Sequence, residues 1–299
     1  MPFSINFRNC STRRCKSSER FHLATWIPMA LPLVKLTKGI HVLHLFYRID
    51  RFHWTQLSAG HSGQALAKLE ALCAANAAPS HPRLTPYANI GGKADLVFML
   101  TAAELGGLGQ LHRDLEDCFS PATLQRMYSY LSVTELPEYV TTEEDMKQTL
   151  IQQEQLEPDS EPFVKRLAEM RQRQNKYEHN RLYPEMPDWE VMAFYPMSKR
   201  RNAADNWYQL DFATRKKLMS GHARVGRKFA GRVSQLITGS TGIDDWEWGV
   251  TLMAHQVDAL KEIVYEMRFD EVSARYGEFG PFYVNLRLPP AALWQHLHL

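Results

Sequence analysis

The most constraining feature of the sequence is an order of apolar patterns that occurs twice along the chain. In the first half, two-residue alternation and turn signals such as Gly91-Gly92-Lys93 predict strands over 39–47, 83–90, 95–100 and 127–135. Apolar residues spaced three to four apart predict helices over 63–75 and 102–118. The predicted order is strand, helix, strand, strand, helix, strand.

The second half repeats this order. Strands are predicted over 189–197, 232–238, 246–253 and 282–286, and helices over 212–229 and 257–276. A βαββαβ order is typical of a ferredoxin-like unit, an antiparallel sheet covered on one face by two helices. The sequence therefore predicts an α+β protein built from two tandem ferredoxin-like units.

These patterns divide the chain into four parts. Residues 30–140 and 186–299 hold the two units, and 141–185 form a charged connector with amphipathic, partly helical spacing. Residues 1–29 are an extension rich in Ser and Arg, which we expect to be disordered, a targeting signal, or the product of a start site placed too far upstream.

Charge and composition exclude several classes of protein. The extension holds five of the 35 basic residues and one of the 33 acidic residues, so the remainder is slightly acidic and nucleic-acid binding is disfavoured. The four cysteines lack the spacing of a zinc site or a disulfide framework. Apolar runs are too short for a membrane span, and we expect a cytoplasmic protein, although the basic extension also permits organellar import.

A few polar residues fall on faces that should be apolar. His222 occupies a place in the helical stripe of Leu218, Val225 and Phe229, and Tyr195 and Lys199 share one face of a strand. Pro196 predicts that this strand is bulged or at an edge. Each residue also has a structural explanation, namely a core histidine, a core tyrosine and a lysine whose head reaches solvent.

Gln235 likewise alternates with the apolar residues Val233 and Ile237 on the next strand. It either bonds its neighbours or faces a ligand. An imidazole, a phenol, an ammonium and an amide together suit a flat, apolar, partly charged ligand. Haem-type iron fits such a set because one protein histidine can be its sole axial ligand.

Several longer strings carry a family resemblance. Residues 195–201, 206–208, 225–231, 237–251 and 265–280 resemble the coproheme decarboxylase (HemQ-type) branch of the chlorite dismutase family, and 128–136 extend the resemblance more loosely into the first half. The resemblance implies a dimeric-α+β-barrel-type subunit in a homopentameric ring, with iron-coproporphyrin III (coproheme) in the C-terminal unit. It also implies transient contact with the coproporphyrin ferrochelatase.

The activity implied by the resemblance belongs to haem b biosynthesis. Hydrogen peroxide would drive the oxidative decarboxylation of two coproheme propionates to vinyls, giving haem b and carbon dioxide. The porphyrin would be both substrate and redox centre.

Residue roles follow by matching positions within these strings. The resemblance implies that His222 ligates the iron, that Tyr195 becomes a radical, and that Lys199 contacts a propionate. Gln235 stands where the chlorite-splitting branch carries an arginine, and a neutral amide binds anionic chlorite more weakly. The remaining expected porphyrin contacts are Tyr139, Arg181, Pro196, Met197, Ser198 and Ser273.

Two alternatives stay open at this point. A chlorite dismutase or haem peroxidase of the same fold would share the histidine, but Gln235 speaks against chlorite as substrate. A tetrapyrrole carrier or sensor would share the pocket without the chemistry, because a fold alone does not establish an activity.

Overall fold

The predicted order of strands and helices recurs in the computed structural model, which describes residues 32–78 and 82–299. The interpretations of residues 1–29 lie outside this range. The strands are β1 (His41–Ile49), β2 (Arg83–Asn89), β3 (Leu96–Ala102), β4 (Leu124–Val133), β5 (Val191–Lys199), β6 (Val233–Gly239), β7 (Trp248–Ala254), β8 (Gly277–Phe279) and β9 (Tyr283–Arg287).

The helices follow the same chain order. They are α1 (Arg51–Thr55), α2 (Ala59–Ala75), α3 (Leu105–Glu116), α4 (Glu143–Gln152), α5 (Glu161–Leu182), α6 (Phe212–Arg227), α7 (Val257–Met267), α8 (Glu271–Tyr276) and α9 (Pro290–Leu297). The α+β prediction is confirmed. The short α1 and the final α9 were not predicted. No helix in the described ranges is both long and apolar enough to span a bilayer.

The described strands of both halves form one antiparallel sheet. Its order is β7-β6-β4-β1-β3-β2-β9-β5-β8, and β7 also pairs with β5, so eight strands close into a barrel. The closure gives the sheet an inner and an outer face. Phe46, Phe194 and Tyr283 belong to the cluster of buried residues inside the barrel.

The outer face of the second half is covered by helices. Ala193, Tyr195, Val250 and Leu252 pack in one cluster with Ile263 of α7. Because side chains alternate along a strand, odd-numbered residues of β5 face these helices and even-numbered residues face the barrel interior. Tyr195 therefore lies outside the barrel, on the helix-covered side.

The predicted helix over 257–276 is broken into two. Helix α7 ends at Met267, and the side chain of Asp270 accepts hydrogen bonds from the backbone N–H groups of Val272 and Ser273 to begin α8. An N-terminal cap of this kind satisfies donors that a continuing helix would bond to its own carbonyls. The break places Asp270 at a sharp corner.

The sequence predicts that β5 is bulged or at an edge at Pro196, and the edge alternative is wrong. β5 pairs with β7 along one side, and on its other side with β9 through Phe194 and with β8 from Met197 onward. Pro196 sits where the partner changes, so the N–H group that proline lacks is not needed there. Its carbonyl still accepts a hydrogen bond from Gly280 N at 2.9 Å.

The charged connector contains a helical hairpin, α4 and α5, with a small apolar core of its own. A capping box at Thr142 and Asp145 begins α4. Lys216 of α6 donates to both carboxylate oxygens of Asp145, at 2.9 and 3.0 Å. The hairpin is thereby attached to the helix that carries His222.

Candidate functional site

His222 is held by a carboxylate. Its Nδ1 lies 3.0 Å from Oδ2 of Asp270, and the two side chains are 26% and 9% exposed. A carboxylate in this position assigns the proton to Nδ1 and leaves the lone pair on Nε2. No described residue bonds Nε2, so this nitrogen is free to bind a ligand.

Asp270 is itself fixed by the helix that it begins. Oδ1 accepts from Val272 N at 3.0 Å and Ser273 N at 3.3 Å, while Oδ2 faces His222. Burial alone would raise the pKa of this carboxyl, but the hydrogen bonds from His222 and Ser273 outweigh burial, and the pKa lies below its ordinary value. Asp270 is therefore an anion over the whole neutral range.

Lys199 lies beside the same carboxylate. Lys199 is 8% exposed, and its Nζ stands 4.8 Å from the centroid of the Trp207 ring. Burial lowers the pKa of Lys199 to about 8, although Asp270 and then Glu247 act in the opposite direction. Within the described residues Nζ has no hydrogen-bonding partner, so it can donate to an anionic ligand.

Tyr195 is enclosed by aromatic rings. The phenol is 5% exposed, its ring stacks on Phe282 with a centroid distance of 4.3 Å, and Phe279 lies 6.0 Å away. Burial raises the pKa of Tyr195 to about 12, with Arg268 opposing the change. The phenol is thus neutral at ordinary pH, and its hydroxyl makes no hydrogen bond to the described residues.

Gln235 lies on the same sheet face as Tyr195. In the paired strands Gln235 is opposite Leu252, which is opposite Ala193, while Tyr195 is opposite Val250. Gln235 is therefore two strands away from Tyr195 across the sheet and two residues away along the strand direction. These offsets correspond to a distance of about 12 Å between the two Cα atoms. The shared face of Gln235 and Tyr195 follows from this register. The amide is exposed rather than buried.

Gln235 also approaches the helix of His222. Its Nε2 lies 3.5 Å from the carbonyl oxygen of Gly226, at the limit of a hydrogen bond. Gly226 is four residues after His222 and therefore on the same helical face, one turn away. The structure brings the imidazole and the amide to neighbouring positions across the α6–β6 gap.

An open cleft of about 530 Å³ adjoins the aromatic rings around Tyr195. Arg200, Arg268 and Ser273 line it together with Phe279 and Phe282. Two guanidinium groups and a hydroxyl are donors suited to carboxylates. Ser273, predicted from sequence to contact the porphyrin, is thus at a cleft lined by two of the rings that pack around Tyr195.

Two other predicted contacts are placed differently. The hydroxyl of Tyr139 accepts from Arg215 Nε at 3.0 Å, and Arg215 also pairs with Glu138. Ser198 accepts from Glu247 N at 3.3 Å and, as an even-numbered residue of β5, faces away from Tyr195. Both hydroxyls thus accept hydrogen bonds from protein groups. Their contact with a ligand stays a prediction.

Arg181 and Met197 are two further predicted contacts. Arg181 is the penultimate residue of α5, and its Nε is buried without a hydrogen-bond partner in the described part of the chain. A buried, unpaired guanidinium N–H is costly unless a ligand or water satisfies it. Met197 pairs through its backbone with Phe279 and Trp248 and stays half-buried on the Tyr195 face.

These donors fit an iron porphyrin better than a bare metal ion. No group of three or more His, Cys, Asp or Glu side chains is placed to hold a metal ion within residues 32–78 and 82–299. His222 offers one free imidazole nitrogen, and Lys199 and Arg268 offer cationic donors for carboxylates. A macrocycle that supplies the remaining iron ligands and carries acidic arms matches that set.

Sequence reasoning missed four of the residues that shape this region. Asp270, Arg268, Trp207 and Phe282 all lie in or beside strings that carry the family resemblance. Asp270 gave a usable signal, since an Asp followed by another acidic residue in the first turn, here Glu271, favours a new helix start. Contacts of Arg268 and Phe282 depend on tertiary structure and leave no periodic signal.

Comparisons with known proteins agree with this fold. The chlorite dismutase family model matches residues 62–288. A haem-binding protein from Thermus thermophilus is similar at 36% identity and TM-score 0.70, over 90% of this chain and 98% of that chain. A mutant chlorite dismutase from Candidatus Nitrospira defluvii is similar in fold at 18% identity and TM-score 0.65, over 88% and 98%.

The fold, the length of the match and the identity to the Thermus protein all point to one group of proteins. The chain belongs to the chlorite dismutase family.

Proposed function

We propose that this chain is a hydrogen-peroxide-dependent coproheme decarboxylase, which converts two propionates of iron-coproporphyrin III to vinyls and yields haem b and carbon dioxide. One observation carries the proposal. A buried phenol without a hydrogen-bonding partner among the described residues, Tyr195, shares a sheet face with Gln235 and lies beside the cationic side chain of Arg268.

His222 would be the iron ligand in this reaction. Asp270 draws the imidazole proton to Nδ1 and increases the donor strength of Nε2. When bound, the iron porphyrin supplies the oxidising equivalents that it takes from peroxide. The name of the Thermus relative, a haem-binding protein, supports a haem-type ligand.

Tyr195 would carry the oxidation to the propionate. Loss of a hydrogen atom from its hydroxyl leaves a tyrosyl radical, which regains a hydrogen atom from the β-carbon of a propionate. That propionate then loses one electron and its carboxyl group as carbon dioxide, and a vinyl remains. Each propionate gives up two electrons and one proton, and one hydrogen peroxide accepts these with a second proton from solvent to form two water molecules.

The cations around this region would hold the carboxylates. Lys199 is buried, and its ammonium has no hydrogen-bonding partner in the described residues. Arg268 and Ser273 line the cleft together with Phe279 and Phe282, whose rings pack against Tyr195. Because a propionate must lie close to the phenol before hydrogen transfer, fixed donors at its carboxylate would lower the entropic cost of that approach.

Gln235 favours this reaction over chlorite dismutation. A neutral amide offers weaker hydrogen bonds to an anionic oxidant than a guanidinium would, whereas peroxide is neutral and needs no cation. The ring of five subunits and the contact with ferrochelatase belong to the same proposal and come from the family resemblance.

The proposal is tested by Tyr195→Phe, with Tyr265→Phe as the matched control, because Tyr265 is an exposed tyrosine of the same half. We expect both variants to bind coproheme like the wild type. The Tyr195 variant should form no haem b with peroxide, and the control should keep its full yield. Haem b formation by Tyr195→Phe, or oxygen release from chlorite by the wild type at sustained turnover, would contradict the proposal.

A further inference from the structure

We infer that Phe282 is a positioning residue for Tyr195, and that the β2–β3 turn of the first half of the chain holds Phe282 in place. The inference deepens the proposed function, since it assigns a residue that sets the direction of the reactive phenol. It rests on the proposed function for its effect on rate, but not for its effect on the phenol itself.

The first step is that packing alone directs the Tyr195 ring. Its hydroxyl has no hydrogen-bonding partner among the described residues, so no bond fixes the orientation of the ring. The ring of Phe282 lies against it at 4.3 Å with an interplanar angle of 26°. Phe282 is therefore the neighbour that most restricts rotation and tilt of the phenol.

The second step is that Phe282 is held through its backbone. Lys93 Nζ donates to the carbonyl oxygen of Phe282 at 2.6 Å. Two residues further on, Ile90 N donates to Val284 O at 3.0 Å. These contacts come from the β2–β3 turn, so the first half of the chain fixes the segment that carries Phe282.

A buried amide pair reinforces this turn. Asn89 Nδ2 donates to Asn285 Oδ1 at 2.8 Å, and Asn89 Oδ1 accepts from Lys93 N at 3.1 Å. Gly92 adopts a φ of +71°, a conformation that favours glycine at the tip of the turn. The turn is thus rigid enough to act as a support for a catalytic phenol.

Phe279 provides a matched control. It is also close to Tyr195, but at 6.0 Å and an interplanar angle of 52°, and its ring is covered by the Arg268 guanidinium at 4.0 Å. Substitution of Phe279 removes a similar apolar volume without removing the stacked ring.

The experiment uses full-length protein labelled with 3-fluorotyrosine, and the Tyr195 resonance is assigned by its loss in Tyr195→Phe. We expect Phe282→Leu to shift this ¹⁹F resonance and to lower its titration midpoint by about one pH unit, because water reaches the phenol. Phe279→Leu should move the midpoint much less, and Lys93→Met should move it in the same direction as Phe282→Leu. These readouts need no bound porphyrin.

Rates give the second readout. With coproheme and peroxide, Phe282→Leu should bind coproheme as the wild type does and form haem b about tenfold more slowly. An unchanged Tyr195 titration in a folded Phe282→Leu would overturn the inference, as would equal effects of the two phenylalanine variants. If the wild type forms no haem b, the proposed function fails, while the titrations still decide whether Phe282 positions Tyr195.

Discussion

Asp270 has two roles that a single substitution separates. One carboxylate oxygen caps the N-terminus of α8, and the other accepts a hydrogen bond from Nδ1 of His222. Asn is as good an N-terminal cap as Asp, so Asp270→Asn should keep α8 and the fold. The same change removes the negative charge of the carboxylate beside the imidazole, which lowers the donor strength of Nε2.

The expected size of the effect follows from this separation. Loss of a carboxylate behind a metal-bound histidine costs about 10- to 100-fold in affinity, or about 1.4 to 2.7 kcal/mol. The stability of the porphyrin-free protein should change by no more than a few tenths of a kcal/mol in Asp270→Asn. Asp270→Ala should lose the same affinity and, because the cap is gone, about 1 kcal/mol of stability.

Absorbance titration with coproheme measures the affinity, and urea unfolding of the porphyrin-free protein measures the stability. Equal affinities of wild type and Asp270→Asn would refute the assigned role of the carboxylate. A large loss of stability in Asp270→Asn would show instead that the substitution disturbs the fold.

Three further predictions concern the rest of the fold. Burial lowers the pKa of His44 to about 3, so below about pH 6.5 the unfolded chain binds more protons than the folded protein. The wild type should therefore lose about 2 kcal/mol of unfolding free energy between pH 7.5 and 5, and His44→Phe should not show this loss. Urea midpoints of the two proteins that fall equally with pH would refute this. Gly249→Ala should destabilise the protein by about 1 to 3 kcal/mol, because the added Cβ would lie 2.5 Å from the ring of Tyr130, and an unchanged melting temperature would contradict that. Lys216→Met should cost less than about 1 kcal/mol, because its ion pair with Asp145 is half-exposed, and a larger loss in urea would show that the hairpin depends on it.

The order of elements could be predicted from sequence because each strand and helix of the two units has its own periodicity. The observed bounds of the elements differ from the predicted ones by a few residues. For example, β4 is predicted over 127–135 and spans Leu124–Val133. The break after Met267 was missed because apolar spacing continues across it, and only the cap at Asp270 reveals it. The alternative that Pro196 lies at an edge was wrong because β5 changes its partner from β9 to β8 at this residue. Proline is tolerated there, as at an edge, because no partner strand needs its missing N–H group.

The site was predictable in part. Alternation places Tyr195 and Lys199 on one strand face, whereas the position of Gln235 on the face of Tyr195 is given only by the strand register. The carboxylate behind His222 lies 48 residues away in sequence, and the ring on Tyr195 lies on another strand segment. Such contacts depend on how elements pack, which the spacing of residues within an element does not encode.

The most direct test of the central claim is the mass of the porphyrin recovered after wild-type protein is mixed with iron-coproporphyrin III and increasing hydrogen peroxide. The proposed chemistry predicts stepwise loss of two carboxyl groups, with haem b as the end product and one peroxide consumed for each propionate. Recovery of unchanged coproheme, or of ring-cleaved products without any vinyl porphyrin, would contradict it.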